Sequence, residues 1–155
     1  MTMEKLFVFL HVLGAVLFLG NIITTAFWKV AQDRYPAPES THRMAVSVMK
    51  ADYVFTIPGI ALIVVFGILT AHAYGYSLAE LNWLTASIGL FVISGILWGT
   101  VLLPCQLQMV KLSEQGLKTG QLPAQYSLVS KRWNVWGSVN TIIPIIVLFL
   151  MVVKP

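Results

Sequence analysis

Four apolar stretches, residues 6–27, 53–73, 83–104 and 134–153, dominate this chain. Each reaches the roughly 20 residues that a helix needs to cross about 30 Å of hydrocarbon. Hydrocarbon offers backbone N–H and C=O groups no partner, so a spanning segment must satisfy its own polar groups, and runs of this length do so as helices. The four stretches occupy more than half of the 155 residues and leave no room for a separate soluble domain. Only 10% of the residues are charged, against about a quarter in an average soluble domain. The expected architecture is all-α: an up-down four-helix bundle forming one membrane domain over 1–155. The first stretch is read as a retained helix, because it exceeds the 7–15 apolar residues of a signal peptide and only Lys5 precedes it as a basic residue.

Orientation follows from the basic residues. Lys5 and Lys154 fall on the side of the two termini and the 74–82 loop, whereas Lys29, Arg34, Arg43, Lys50, Lys111, Lys118, Lys131 and Arg132 fall on the other. Both long loops are therefore expected in the cytoplasm and both termini outside. The formal net charge of +4 reads as topology and implies no nucleic-acid partner; the expected surroundings are the lipid bilayer. Cys105 is the only cysteine, so no disulfide framework exists, and packing is its expected role.

Local signals extend three helices beyond the bilayer. After the Pro36-Ala37-Pro38 break, Ser40-Thr41 reads as a helix start, and the second helix is then uninterrupted to Pro58. The third is expected to run to about Glu114, with Gly116 as its C-cap, and Pro123 to open the fourth. Two helical collars at the cytoplasmic side result. Tyr74, Tyr76 and Trp83 mark the outer interface, and Trp28, Tyr53, Trp133 and Trp136 the inner one. Gly95 and Gly99 form a Gly-xxx-Gly pattern, which predicts a close helix approach.

His11 is the one ionisable side chain inside the first stretch, and such residues usually face a partner, a cavity or a cofactor. His11, Gly14, Phe18, Asn21 and Thr25 recur at helical spacing and define the bundle-facing side of that helix. His11 falls about 8 Å below the outer boundary, at the depth of Met151 and His72. Three readings stand: a neutral imidazole bonded to a carbonyl or hydroxyl, an axial haem b ligand with Met151 or His72 opposite, and a copper site using Met1 or Met3. Helical phase separates His72 from Thr56, Gly59, Ile63, Gly67 and Thr70, the small polar face of the second helix.

A second group lies in the inner half. Asn21, Thr25, Thr56, Thr100, Asn140 and Thr141 form an expected polar cluster, near the carbonyls that Pro104 and Pro144 leave unpaired. It reads either as interhelical hydrogen bonding or as a polar pocket. No Asp or Glu falls inside the four stretches, which argues against proton coupling; Asp33 and Asp52 are expected as solvated ion pairs at the surface, with His42 also exposed. Zinc-hydrolase and phosphate-loop signatures are absent, so the reading leans against an enzyme.

KLFVFLHVLGAVLFLGNIITTAFW, ADYVFTIPGIALIVVFGILTAH and the closing LFLMVVKP resemble a family of small bacterial integral membrane proteins known as a domain of unknown function. More remotely, His11, the Pro58…Gly67 helix and the Lys131…Asn134 element are similar to copper-resistance-D-type proteins and the haem-carrying membrane protoporphyrinogen oxidase. That resemblance implies a bacterial inner membrane and a haem role for His11. Ser87, Leu97, Trp98 and Val135 depart from the oxidase's basic, histidine and acidic residues, so the cofactor-binding fold carries over without the oxidation. Three functional readings follow: haem or redox-ligand binding through His11, a non-catalytic accessory subunit of a larger membrane complex or homo-oligomer, and copper handling. Haem binding predicts a Soret band in the purified protein that His11→Ala diminishes; colourless protein from haem-replete cells contradicts it.

Overall fold

The computed structural model describes residues 2–155, and four long helices account for most of them. They are α1 (Met3–Gln32), α2 (Pro38–Ala73), α3 (Trp83–Thr119) and α4 (Ala124–Val153), each long and apolar enough to cross a membrane. Their ends follow from local chemistry. Pro38 occupies the first turn of α2, where its missing N–H costs nothing. This places the start two residues before the expected Ser40. Asn82 caps α3: its side chain accepts from the Leu84 and Thr85 N–H groups, while Thr85 Oγ1 accepts from the Asn82 N–H. α3 ends at Gly120, whose φ of 75° suits a residue without Cβ. Gly116, expected as that cap, is instead inside the helix, and a Cβ there would stand 2.9 Å from Leu122 Cδ2. Pro123 precedes α4 as expected.

Two helices change their winding. Over Asp52–Thr56 in α2 and Trp98–Leu102 in α3 the turn widens to a π-turn, with the Ile57 N–H bonding the Asp52 carbonyl and the Leu103 N–H bonding that of Trp98. Each π-turn ends two residues before a proline, Pro58 or Pro104. A proline lacks the N–H that the α-ladder needs and its ring presses on the carbonyl four residues back, so a wider turn relieves both problems.

The bundle is held together differently at its two ends. α1 packs along the membrane half of α2, the membrane half of α3 packs on α4, and α1 also touches α4. In the collar, α2 meets α3 and α3 meets α4. The apolar core lies in this collar, where Ala45, Val48, Met109, Leu112, Tyr126 and Trp133 are buried together with Cys105. Trp133, expected at the lipid interface, belongs to this core, whereas Trp28, Tyr53 and Trp136 are exposed. Further along, Val16, Ile68, Val92 and Phe149 face outward, as lipid-facing residues should. At the opposite end Lys154 lies 5.4 and 5.3 Å from the Tyr76 and Trp83 ring centroids, tying the carboxyl terminus to the α2–α3 loop.

Glycine sets the α1–α2 distance. A Cβ on Gly14 would meet Leu62 Cβ at 2.7 Å and the Gly59 carbonyl oxygen at 2.8 Å; one on Gly59 would meet the Phe18 nitrogen at 3.0 Å. The Gly95/Gly99 pattern, by contrast, makes no close approach: both glycines are exposed and nothing lies within 4 Å of an added Cβ. No neighbouring helix of this chain comes close to either glycine; Gly95 instead lies on the rim of a cavity. Gly14→Ala is therefore expected to destabilise the protein by about 1–3 kcal/mol through overpacking, whereas Gly95→Ala changes stability by no more than about 0.5 kcal/mol. Thermal unfolding in detergent separates the two, and equal tolerance would contradict the assigned interface.

Candidate functional site

The polar face of α1 meets the small face of α2 along their length. His11 Nδ1 donates to the Ile63 carbonyl oxygen at 2.9 Å, and its ring covers Gly67, where a Cβ would stand 3.0 Å from Cε1 and Nδ1. A backbone carbonyl, one of the partners considered for His11, is thus within hydrogen-bond distance. His72 is exposed in the last turn of α2, and Met151 is half-buried on α4. Met3 is exposed at the start of α1, while Met1 lies outside the described residues.

Deeper toward the collar the same two faces become polar. Asn21 Nδ2 donates to Asp52 Oδ1 at 3.0 Å and to Thr56 Oγ1 at 2.9 Å, and Thr56 Oγ1 donates to Asp52 Oδ1 at 2.8 Å. From α3, Gln106 Nε2 donates to Asp52 Oδ2 at 2.7 Å. Asp52 is only 6% exposed. The expectation of a solvated surface ion pair is therefore wrong for Asp52. The collar continues α2 past the boundary of the apolar stretch, so the residue is enclosed by the bundle, and none of the ion pairs among the described residues includes it. The argument against proton coupling falls with it, since an acid does lie inside a spanning helix.

The expected cluster of Asn21, Thr25, Thr56, Thr100, Asn140 and Thr141 is real in part. Asn21 and Thr56 join Asp52, while Thr25, Asn140 and Thr141 line a partly open cavity of ≈ 80 Å³ beside it. Thr100 does not take part. It is exposed, and its hydroxyl returns to the Ile96 carbonyl at 2.7 Å, the one acceptor that a lipid-facing threonine has.

The cavity brings together all four helices. Phe18, Asp52, Phe91, Trp98, Gln106 and Asn140 are on its wall. Three buried polar atoms of lining residues have no partner: Gln106 Oε1, Asn140 Oδ1 and Trp133 Nε1. Gln106 and Asn140 are 3% and 7% exposed, so neither is satisfied by bulk solvent. Each orphaned buried polar group costs about 1–3 kcal/mol. A cavity this size has room for a few water-sized groups. Asp52 is the one acidic or basic side chain on its wall.

A second buried charge lies between α1 and α4. Lys29, 2% exposed, donates to Asp33 Oδ2 at 2.6 Å, to Asn134 Oδ1 at 3.0 Å and to Ser130 Oγ. Asp33 Oδ2 in turn accepts from Ser130 Oγ and Asn134 Nδ2. The ammonium also lies 5.2 Å from the Trp133 ring centroid. Lys29, counted in the sequence as a loop charge, is thus enclosed, and Asp33 is a fixed ion pair in place of a solvated one. This cluster is self-compensated: charge, hydroxyl and amide all have partners. His42, expected at the surface, is half-buried, with Nδ1 3.0 Å from Ser113 Oγ.

Sequence reading missed Asp52 and Lys29, yet both continue patterns it had found. Lys29 falls four residues after Thr25 on the His11 face of α1, and Asp52 four residues before Thr56 on the small face of α2.

In the comparison with protein families, the model for a predicted integral membrane protein, DUF2269, matches residues 5–155. Neither curated proteins nor solved structures give a match.

Asp33→Asn removes the anion from a buried pair and leaves Lys29 uncompensated, so a loss of about 3 kcal/mol is expected, the low end for such pairs because Asp33 is partly exposed. Lys29→Met combined with Asp33→Asn should recover part of that loss. A double-mutant cycle of thermal unfolding in detergent checks this, and additive losses would contradict a coupled pair.

Proposed function

The chain belongs to the DUF2269 family of predicted integral membrane proteins, and on that premise we propose that it is a multi-pass membrane protein that binds a cationic guest at the Asp52 centre. The observation that carries this reading is the uncompensated acid. Asn21, Thr56 and Gln106 all hydrogen-bond the Asp52 carboxyl group, and none of these partners is a cation. A buried charge without an opposite charge is costly, and inside membrane proteins such acids mark ion and substrate sites. Lys29, fully engaged by Asp33, is not its counter-ion. The cavity beside Asp52 leaves room for a small guest next to that carboxyl group.

Orientation is part of the proposal. Arg34, Arg43, Lys50, Lys111, Lys118, Lys131 and Arg132 are exposed around the collar, which supports a cytoplasmic collar in a bacterial inner membrane. The guest then has a short route between the site and the cytoplasmic side.

A second reading keeps haem at His11. Its support is the Nδ1 bond to Ile63, because a ligating histidine commonly donates its other ring nitrogen to a carbonyl, which orients the ring and fixes the tautomer. The cavity beside Asp52 is far below the roughly 300 Å³ of the smaller cofactor pockets and does not include His11. This reading therefore requires the porphyrin to lie on the lipid-facing side of the α1–α2 pair.

Thermal unfolding of the detergent-solubilised protein across chloride salts of lithium, sodium, potassium, ammonium and N-methylglucamine tests the first reading. At least one small cation should raise the midpoint by several degrees over N-methylglucamine, since a ligand at a hundred times its Kd stabilises by about 2.7 kcal/mol. Asp52→Asn should abolish the difference. An unfolding midpoint indifferent to every cation overturns it.

A further inference from the structure

The membrane halves of the helices are joined far less than their collar ends. Ile57–Ala73 of α2 comes within 8 Å, Cα to Cα, of α1 and of no other helix; Trp83–Leu97 of α3 does so only with α4. Two arms result, α1 with α2 and α3 with α4. We propose that these arms are the moving parts of a gate on the Asp52 cavity, a role that holds whichever guest the cavity takes.

The two π-turns supply the hinges. Helices bend at π-turns and at prolines, and α2 and α3 each carry both together. Asp52 from the first π-turn, and Trp98 and Leu102 from the second, line the cavity itself. On the collar side of these turns, Pro38–Ala51 of α2 packs on Leu103–Thr119 of α3 around the apolar core, which gives the arms a fixed base. α1 and α4 keep α-helical winding from end to end, so each tilts with its arm as one rod. Their fulcrum is the Lys29 cluster, where Lys29 and Asp33 of α1 bond Ser130 and Asn134 of α4.

A latch holds the arms together. Phe18 of α1 and Phe91 of α3 meet edge to face with centroids 5.7 Å apart. On its own helix, each is the cavity-lining residue nearest the end that carries the termini. The rings therefore stand between the cavity and that end. The other phenylalanine pair across two helices, Phe7 with Phe66, lies within the first arm. Further out, the arms are joined by the 74–82 loop and by the contacts of exposed Lys154 with Tyr76 and Trp83, at the surface where a cation–π contact is weakest. Breaking the Phe18–Phe91 contact lets the arms tilt apart and opens the cavity toward the termini.

Distances between paired spin labels on the full-length protein in lipid nanodiscs, measured by pulsed electron resonance, test this. The one native thiol, Cys105, is buried, so introduced cysteines take the label. Ile68→Cys with Ile88→Cys reports on the arms, and Lys50→Cys with Lys111→Cys on the collar; all four positions are exposed. The arm pair should show a short and a long distance, and the collar pair a single one. Phe91→Ala should raise the ratio of long to short by roughly two- to tenfold, the worth of one aromatic pair, and leave the collar distance unchanged. Phe91→Leu removes the ring but keeps most of the bulk; it should shift the ratio the same way and keeps the test decisive if Phe91→Ala unfolds. An arm pair with the same single distance in wild type and variants overturns the gate. A collar pair that spreads as widely as the arm pair overturns the hinges and the gate with them.

Discussion

The contact between α1 and α2 at Gly14 and Gly59 is the constraint on which the rest of the bundle depends. With no side chain on either residue, the Gly14 and Gly59 backbones approach to the limit of van der Waals contact. That proximity lets the short side chains of Asn21 and Thr56 reach across the interface and brings the His11 ring within bonding distance of the Ile63 carbonyl. In lipid there is no hydrophobic force between helices, so close packing and hydrogen bonds must supply the association. Moving the helices apart by one methyl group would weaken both together.

Two buried charges, treated in opposite ways, divide the collar end by role. Lys29 has its anion four residues away on the same helix and further partners on α4, so the charge is neutralised where it is made. Its arrangement fastens α1 to α4. Asp52 has donors but no cation, and it borders a space instead of a packed wall. The contrast within one protein, at similar burial, is the physical reason for proposing a binding role for the Asp52 cluster and a fastening role for the Lys29 cluster.

The fold was legible because its cause is simple: apolar length against the thickness of hydrocarbon. The inward faces of α1 and α2 were legible too, since spacing alone joined His11, Gly14 and Asn21, and Thr56, Gly59 and Gly67. What composition hid was the far end of each stripe. Asp52 and Lys29 stand at the edges of apolar runs, where charged residues ordinarily meet water, and only the extension of three helices past the bilayer encloses them. Gly95 and Gly99 misled for a related reason: a motif records what a helix surface permits, and the other helices of this chain pack elsewhere. Thr100 fell out of the polar cluster because its side chain faces outward, on the π-turn before Pro104.

The π-turn in α2 has a consequence for phase. The inward positions of that helix run Thr41, Ala45, Val48, Asp52, Thr56, Gly59, Ile63, Gly67 and Ala71, eight repeats over 30 positions. Eight turns of a straight α-helix hold about 29 residues, so a uniform helix would rotate its two ends out of alignment by roughly the 100° of one residue. The wide turn at Asp52–Thr56 absorbs that residue. It acts as a vernier between two stacked interiors, one apolar and built around the collar, the other lean and built around glycine. Asp52 stands at the junction where their registers are reconciled.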